Sequence, residues 1–459
     1  MKSKTKRVDV HVRIRPRVGD ELDRDDPELI FEMPTPTPKA TLIVETPATE
    51  ADEVEYVEVL GFTVPKSKPK RRKTYRHFAS IQNDVPNGDF YDVAVAPLVA
   101  QALSGRTACC FAYGHTGSGK THTILGYGSE RGMYDLATAQ LFAALDELNE
   151  RNTIPADALK VQVRFNEIYN GEVYDLLNDS AKCFVREDAH GKIQIRGELM
   201  TDEETGLMKP TSSATRVASS AGELWDIVAT GMAARSTGNS NVHRASSRSH
   251  ALLELEIVSD RVLALRSNVI EVEAALTRTG HERDTLEMDI FVRQHDKVEG
   301  KWVKKADARG ATQEECSLLL TLRKELVQLD KAIEAAHAAV VAAQTDGVSC
   351  LCGALVFVDL AGSEHAGSVG DGIVKTETEQ QECREINKSL SALKACFRSH
   401  SKNLSSAACY RNSKLTLLLR DHFRATNAKT MMVATISPSS VHAVQTTHTL
   451  QYAQLVGET

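Results

Sequence analysis

From Val8 to Ile14 apolar and polar side chains alternate as Val-Asp-Val-His-Val-Arg-Ile, the period of a half-buried strand, and Arg15-Pro16 closes it. Thr107 to Tyr113 is a run of small, apolar and aromatic residues suited to a buried strand, and strand character returns at Leu159–Phe165, 251–258 and Gly353–Leu360. Ala40–Glu45 and Tyr56–Val64 are further strand candidates, and Asn170-Gly171 marks a turn. Between residues 86 and 177 such runs alternate with helical patterns, which predicts an α/β layer architecture.

Two stretches change the period. Val262, Leu265, Val269, Val272 and Leu276 recur every three or four residues, and Leu286 and Ile290 resume the series after an interruption at Gly280. A second stripe runs through Leu319, Leu322, Leu326, Leu329, Ile333, Ala336 and Val340, with Arg323, Lys324, Glu325 and Lys331 left to solvent. Together they predict an antiparallel pair of helices inserted between strands; an intermolecular coiled coil is the other reading. The chain thus divides into a first part at 1–259, a helical hairpin at 260–350, a second part at 351–455 and a terminal tail at 456–459. Farther on, Ile386, Leu390, Leu393 and Phe397 place an apolar stripe on a helix from Glu385 to Phe397.

Chemistry enters between strand and helix, where Gly114-His115-Thr116-Gly117-Ser118-Gly119-Lys120-Thr121 has the spacing of a phosphate-binding loop. Glycines let backbone N–H groups approach phosphate oxygens, Lys120 brings a cation to the outer phosphates, and Thr121 offers a hydroxyl to magnesium. The strand before the loop and His122-Thr123-Ile124-Leu125 after it supply the context this motif needs.

Bulk composition narrows the partners. The chain of 459 residues carries a formal charge of -7, so it has no general preference for a polyanion, and any acidic partner must meet a local basic patch. Residues 66–73 form one such run, readable as a solvated loop, a polyanion contact or a nuclear localisation patch. The nine cysteines lack paired zinc-like spacings, which favours free thiols in a reducing compartment, cytosolic or nuclear. No apolar run approaches the ~20 residues of a membrane helix.

Three motifs taken together resemble the nucleotide machinery of a kinesin motor domain: the phosphate loop, Ser246-Ser247-Arg248-Ser249-His250 as switch I, and Asp359-Leu360-Ala361-Gly362-Ser363-Glu364 as switch II. Arg13-Ile14-Arg15-Pro16, Asn387 to Leu393 and Tyr410 to Thr416 add to the likeness, which spans nearly all of the chain outside 260–350. The resemblance implies a P-loop NTPase-like α/β fold, a central mostly parallel sheet with helices on both faces. It also implies ATP or ADP and Mg2+ as cofactors and a microtubule-stimulated ATPase. In this reading Lys120 neutralises developing phosphate charge, and Thr121, Ser247 and Asp359 serve magnesium. Ser246 and Ser247 close over the γ-phosphate, Gly362 offers its N–H there, and Arg248 pairs with Glu364. Arg13, Arg15, Pro16 and His122 surround the adenosine.

The sequence departs from the family pattern at two positions near the phosphate. His115 replaces the usual glutamine and introduces a group that titrates near neutrality, and His243 stands where an asparagine is usual, unless Asn239 or Asn241 takes that place.

The helix after switch II, the loop beyond it and the next helix form the tubulin face in kinesins, which makes Lys388, Lys394, Arg398, Arg411, Lys414 and Arg420 candidate contacts. Gly132–Ala137, Ser389–Phe397 and residues 41–58 look closest to internal-motor kinesins that depolymerise microtubules, although Glu50-Ala51-Asp52 stands where that class carries Lys-Val-Asp. End depolymerisation, translocation along the filament and nonmotile filament binding are all open at this stage. The hairpin at 260–350 is a candidate for a protein partner or self-association. The cytoplasm and cytoskeleton are the expected setting, with spindle or nucleus open.

Overall fold

The computed structural model describes residues 8–23, 28–34, 40–46, 56–59, 62–65, 71–151, 157–187, 191, 193–201, 208–212, 214–237, 247–298, 300–306, 308–346, 348–363, 376–401, 407–424 and 428–458. A twelve-stranded sheet forms the main unit. Its strands in chain order are β1 (Val8–Ile14), β2 (Ser80–Asn83), β3 (Thr107–Tyr113), β4 (Leu159–Tyr169), β5 (Glu172–Asp175) and β6 (Ala181–Glu187). They continue with β7 (Ile193–Thr201), β8 (Met208–Ser212), β9 (Arg216–Ala218), β10 (His250–Ser259), β11 (Ala354–Asp359) and β12 (Lys429–Ile436). The helices used below are α1 (Asn87–Ala94), α2 (Ala96–Leu103), α3 (Lys120–Leu125), α4 (Met133–Glu150) and α5 (Ala221–Thr237). The rest are α6 (Asp260–Gln294), α7 (Gln313–Asp346), α8 (Glu377–Ser401), α9 (Lys414–Arg424) and α10 (Ala443–Gly457).

Strands lie in the order β8, β7, β6, β5, β4, β10, β11, β3, β12, β1, β2, with β9 beside β4. The block β11, β3, β12, β1, β2 is parallel throughout. On the other side β10 runs antiparallel to β11, and β4 to β8 form an antiparallel meander. Parallel strands need cover on both faces, and β3 shows why its sequence has no polar alternation: Ala108 to Ala112 are all 0% exposed.

One face packs Val10 and Val12 of β1, Phe111 and Tyr113 of β3, Val356 and Val358 of β11 and Met432 of β12 into one cluster with Leu393 and Phe397 of α8, Leu419 of α9 and Leu450 of α10. On the opposite face Tyr134 of α4 meets Phe357 of β11 with ring centroids 5.1 Å apart. Helices therefore cover both faces.

The direction of the strands places the chemistry. In a parallel sheet ligands gather at the carboxyl ends of the strands. β1, β3, β11 and β12 all end at one edge, and β10, running the other way, begins there, with Ala251 opposite Asp359. Five stretches of distant sequence thus meet along one edge.

A second compact unit contains residues 149–159 and 258–351. Within it α6 and α7 pack side by side as an antiparallel pair, and Arg323 bridges to Glu287 at 2.8 Å and Arg293 to Glu315 at 2.6 Å. The expected interruption at Gly280 does not occur: α6 is continuous over 35 residues. A methyl at Gly280 would stand 4.0 Å from Leu326 Cδ2 of α7, so this glycine lies on the inner face of the pair. The periodicity also gave no sign of the two-stranded hairpin His295–Val298 with Lys301–Lys304 that joins the helices.

Candidate nucleotide site

The phosphate loop leaves β3 at Gly114, which is buried, and a side chain there would overlap Ser118 Oγ and the carbonyl and hydroxyl oxygens of Thr435. Gly119 has φ 99° where the loop turns into α3, a conformation that a side chain disfavours. Ser118 Oγ lies 2.7 Å from Thr435 Oγ1, which ties the loop to the end of β12. Lys120 is 6% exposed, and its Nζ donates to the carbonyls of Gly114 and His115, both at 2.9 Å. The ammonium is thereby folded back over its own loop. Thr116 and Gly117 are exposed and Thr121 and His122 half-buried.

Asp359 ends β11 and is 1% exposed. Its Oδ2 accepts from Arg235 Nη1 of α5 at 3.1 Å, while Oδ1 is buried without a hydrogen-bond partner among the described residues. A buried carboxylate oxygen left unpaired is costly unless something else uses it, so Asp359 Oδ1 fits a magnesium site, with Thr121 and Ser247 as the hydroxyls that the family resemblance sets beside it. Arg235 escaped the sequence reading. It also donates to the Ser249 carbonyl at 3.2 Å and approaches Glu167 at 3.5 Å. Its only signal in the sequence is a charge near the end of an otherwise helical run, which does not reveal that the charge is buried.

The two switch segments meet through the backbone. Gly362 N–H donates to the Ser247 carbonyl at 2.9 Å, and Ser363 N–H to the Gly114 carbonyl at 3.2 Å. The Gly362 N–H, expected to be offered to the γ-phosphate, is here engaged by switch I. Arg248 Nη1 meets Glu382 at 2.6 Å and Nη2 meets Glu379 at 3.1 Å, both on α8. Glu382 also accepts from Tyr169 at 2.5 Å. Ser246, Glu364, His243, Asn239, Asn241 and Glu50 to Asp52 lie outside the described residues.

Beside the loop a cleft of about 360 Å³ is lined by Arg15, Pro16, Val85, Ser118, His122 and Glu130, among others. Arg13 also reaches it, but its guanidinium donates to Thr123 Oγ1 at 2.9 Å, to the Val85 carbonyl at 2.8 Å and to Asn87 Oδ1, with Phe90 beneath it. It pins α1 and α3 to β1 and so shapes the cleft. Arg15 reaches the Gly117 carbonyl at 2.7 Å and holds Glu21 through two 2.6 Å contacts. His122 Nε2 lies 3.1 Å from Glu130 Oε2.

His115 corrects an expectation. Its side chain is 1% exposed, both ring nitrogens lack a hydrogen-bond partner among the described residues, and its ring lies 4.6 Å from that of His442. Burial, followed by His442 and the cations Lys120 and Arg15, pushes its pKa down to about 3, so it stays neutral where an exposed histidine would titrate.

The basic candidates on and after α8 separate by burial. Lys388, Arg398 and Arg411 are exposed, Lys388 beside Glu385 at 3.2 Å and Arg411 beside Glu187 at 2.8 Å, and Lys414 is half-buried. Arg420 is a correction: its side chain is 3% exposed and is bound to Glu187 at 2.9 Å, Asp421 at 3.0 Å and the Gly191 carbonyl, leaving no charge for a partner. Lys394 is a second correction. Its ammonium lies 5.1 Å from the Tyr452 ring and 5.7 Å from that of Tyr113, and burial lowers its pKa. The family resemblance placed both on the candidate surface because a match of segments does not distinguish a solvated cation from one turned inward along its stem.

A phosphate loop after a buried parallel strand, a magnesium-type aspartate on the neighbouring strand and two switch segments joined across that edge define a P-loop nucleotide-binding protein with switches. The kinesin motor domain profile matches residues 13–275 and 333–459, and the chain belongs to that family. It is similar to kinesin-like protein KIF24 of Homo sapiens and of Mus musculus, 28% identical to each over 98% of its own length and 24% of theirs. The chain thus spans about a quarter of these relatives. Among solved structures, it resembles a kinesin mutant concerned with activation of the motor ATPase (TM-score 0.57, 21% identity, 98% of both chains). It likewise resembles the motor and motor homology domain of Kar3Vik1 fused to a synthetic coiled coil (TM-score 0.59, 22% identity, 98% of this chain and 84% of that one). These two likenesses speak for the fold.

Proposed function

We propose that this chain is the ATP-hydrolysing, microtubule-binding head of a kinesin that acts at filament ends. The observation that carries the reading is the meeting of Lys120, Asp359 and the Ser247–Gly362 bond at one sheet edge, beside the helix α8 that Arg248 grips. Bound MgATP would supply the reactive phosphoryl group and the metal that withdraws charge from it. Gly114 to Thr121 would hold the phosphates, Arg15, Pro16 and His122 would border the adenosine, and Thr121, Ser247 and Asp359 would serve magnesium. Ser246, Ser247, Arg248, Gly362 and Glu364 are assigned to closure.

The chain's own contacts supply a route from nucleotide to filament. Arg248 is held by Glu379 and Glu382, so a shift of switch I acts on α8, where Lys388 and Arg398 are exposed, and Arg411 and Lys414 follow in the loop and the start of α9. Exposed cations there suit an acidic filament and would make binding salt-sensitive. Gly132–Ala137 and Ser389–Phe397 support depolymerisation over translocation. Free thiols at all nine cysteines suit a cytoplasmic, cytoskeletal setting.

The test is imaging of stabilised microtubules with the purified chain and ATP while phosphate release is followed in the same sample. ATP-dependent shortening from the ends is the expected result. Gliding without end loss would replace it with translocation, and decoration without phosphate release would leave a nonenzymatic scaffold.

A further inference from the structure

The two-stranded hairpin that joins α6 to α7 closes on a tight turn, where Gly300 has φ 80°, and the Lys305 N–H extends its ladder to the Gln294 carbonyl at 2.9 Å. A hairpin of this size is marginal on its own in water. Here an aromatic cluster anchors it to the end of α6: the Phe291 ring stacks on His295 with centroids 4.2 Å apart and meets Trp302 edge-on at 5.3 Å. His295 Nδ1 also donates to the Phe291 carbonyl at 2.9 Å.

The anchored hairpin turns apolar side chains outward. Trp302 is 47% exposed, Val303 50% and Val298 54%, and all four residues of the strand Lys301–Lys304 are exposed. The register sets Trp302 opposite Lys297 and Lys304 opposite His295, so one side carries the aromatic cluster with two lysines, while Val298, Val303 and Lys301 share the other. Each strand pairs only with its partner strand among the described residues, which leaves the outer edge of Lys301–Lys304 open.

Charge selects the occupant of that edge. Residues 293–305 hold five basic and two acidic side chains in a chain whose formal charge is -7. Arg293 and Lys305 are engaged by Glu315 and Asp296, whereas Lys297, Lys301 and Lys304 make no ion pair among the described residues. Lysines on an open edge discourage pairing with a copy of the same edge, because like charges would meet. That accounts for the lysines but not for the tryptophan and two valines beside them, which a merely guarded edge has no reason to expose. A second copy is thus repelled, and an acidic strand is attracted.

We propose that this hairpin is a docking edge for an extended acidic segment of another protein, added as a third strand beside Lys301–Lys304. The strand period fixes the pattern it reads. Residues opposite Lys301 and Lys304 are acidic, and the two between them, opposite Trp302 and Val303, are apolar. The proposal goes beyond the nucleotide and filament readings and depends on neither. A four-residue edge is a small contact, so binding is weak and salt-sensitive.

The experiment uses the full chain with Trp225→Phe, which leaves Trp302 as its single tryptophan, and a synthetic peptide in which threonines flank Glu-Val-Leu-Glu. Tryptophan fluorescence follows binding, and circular dichroism checks that each variant is folded. Saturable binding with a blue shift of Trp302 emission is expected. Lys301→Glu combined with Lys304→Glu should weaken it about tenfold, and Lys301→Arg combined with Lys304→Arg should keep it within about threefold. Reordering the peptide to Val-Glu-Glu-Leu, or methylating its backbone nitrogens so that it cannot pair as a strand, should each cost about tenfold in affinity. Equal binding of the reordered or methylated peptide would overturn the inference, as would undiminished binding after charge reversal or an unshifted Trp302. Tighter binding to single-stranded RNA or to phosphatidylserine vesicles than to the peptide would also overturn it. So would self-association of the chain that charge reversal abolishes, since the edge would then belong to a second copy.

Discussion

The imidazole of His115 is buried in the phosphate loop with neither nitrogen hydrogen-bonded to any described residue, and it packs against the ring of His442. With its pKa near 3 it contributes no charge between pH 6 and 8. His115→Gln should therefore leave the pH dependence of nucleotide affinity over that range unchanged, and titration calorimetry at several pH values checks it. Glu21 gives the contrasting case. Hydrogen bonds from Arg15 hold its carboxyl down to about 2 against burial, which opposes ionisation. Because its folded pKa lies below the ordinary 4.5, its stabilisation is complete above that value and is lost as pH falls toward about 2. Glu21→Gln should flatten the loss of melting temperature between pH 4.5 and 2, read by calorimetry across that range.

Among elements, α6 and α8 show what the pattern of residues carries. The apolar stripes of α6, α7 and α8 were legible because a helix buries one face and side chains repeat every three or four residues. Strand β3 was legible because parallel strands are covered twice. The phosphate loop, Asp359 and the switch motifs were legible as local patterns. Arg235 and the inward turn of Arg420 and Lys394 were not, since burial of a charge depends on partners far away in sequence, such as Glu187 for Arg420. The continuity of α6 through Gly280 was missed for a related reason: a glycine weakens a helix by a modest amount that packing against α7 overrides. Gly280→Ala should raise the stability of the hairpin unit by about 0.5–1 kcal/mol in denaturant titrations, as the added methyl meets Leu326 at ordinary contact distance. Arg420→Met should lower the melting temperature by roughly 5 °C without changing the salt dependence of microtubule cosedimentation. Lys388→Ala with Arg411→Ala should do the reverse, weakening cosedimentation and flattening its salt dependence while leaving melting nearly unchanged.

For the molecule as a whole, the decisive joint is where the inserted segment leaves and rejoins the sheet. Ile257 N–H donates to the Gly353 carbonyl at 2.9 Å and Cys352 N–H to the Ile257 carbonyl at 2.8 Å, so β10 and β11 close on each other at the base of the insertion. The ladder continues from Glu256 opposite Ala354 to Ala251 opposite Asp359. Replacing residues 260–350 by a short glycine-rich turn should leave a folded head whose ADP affinity stays within about threefold of the full chain, checked by circular dichroism and calorimetry.

That closure makes the length of the hairpin and the chemistry of the head separate inheritances. Whole turns could be added to or lost from both helices, each residue changing the span by about 1.5 Å out of roughly 50 Å for the 35 residues of α6, while the register that sets Asp359 against Ala251 stayed fixed. Selection could lengthen or shorten the arm as a ruler is cut, without retuning the engine it is attached to.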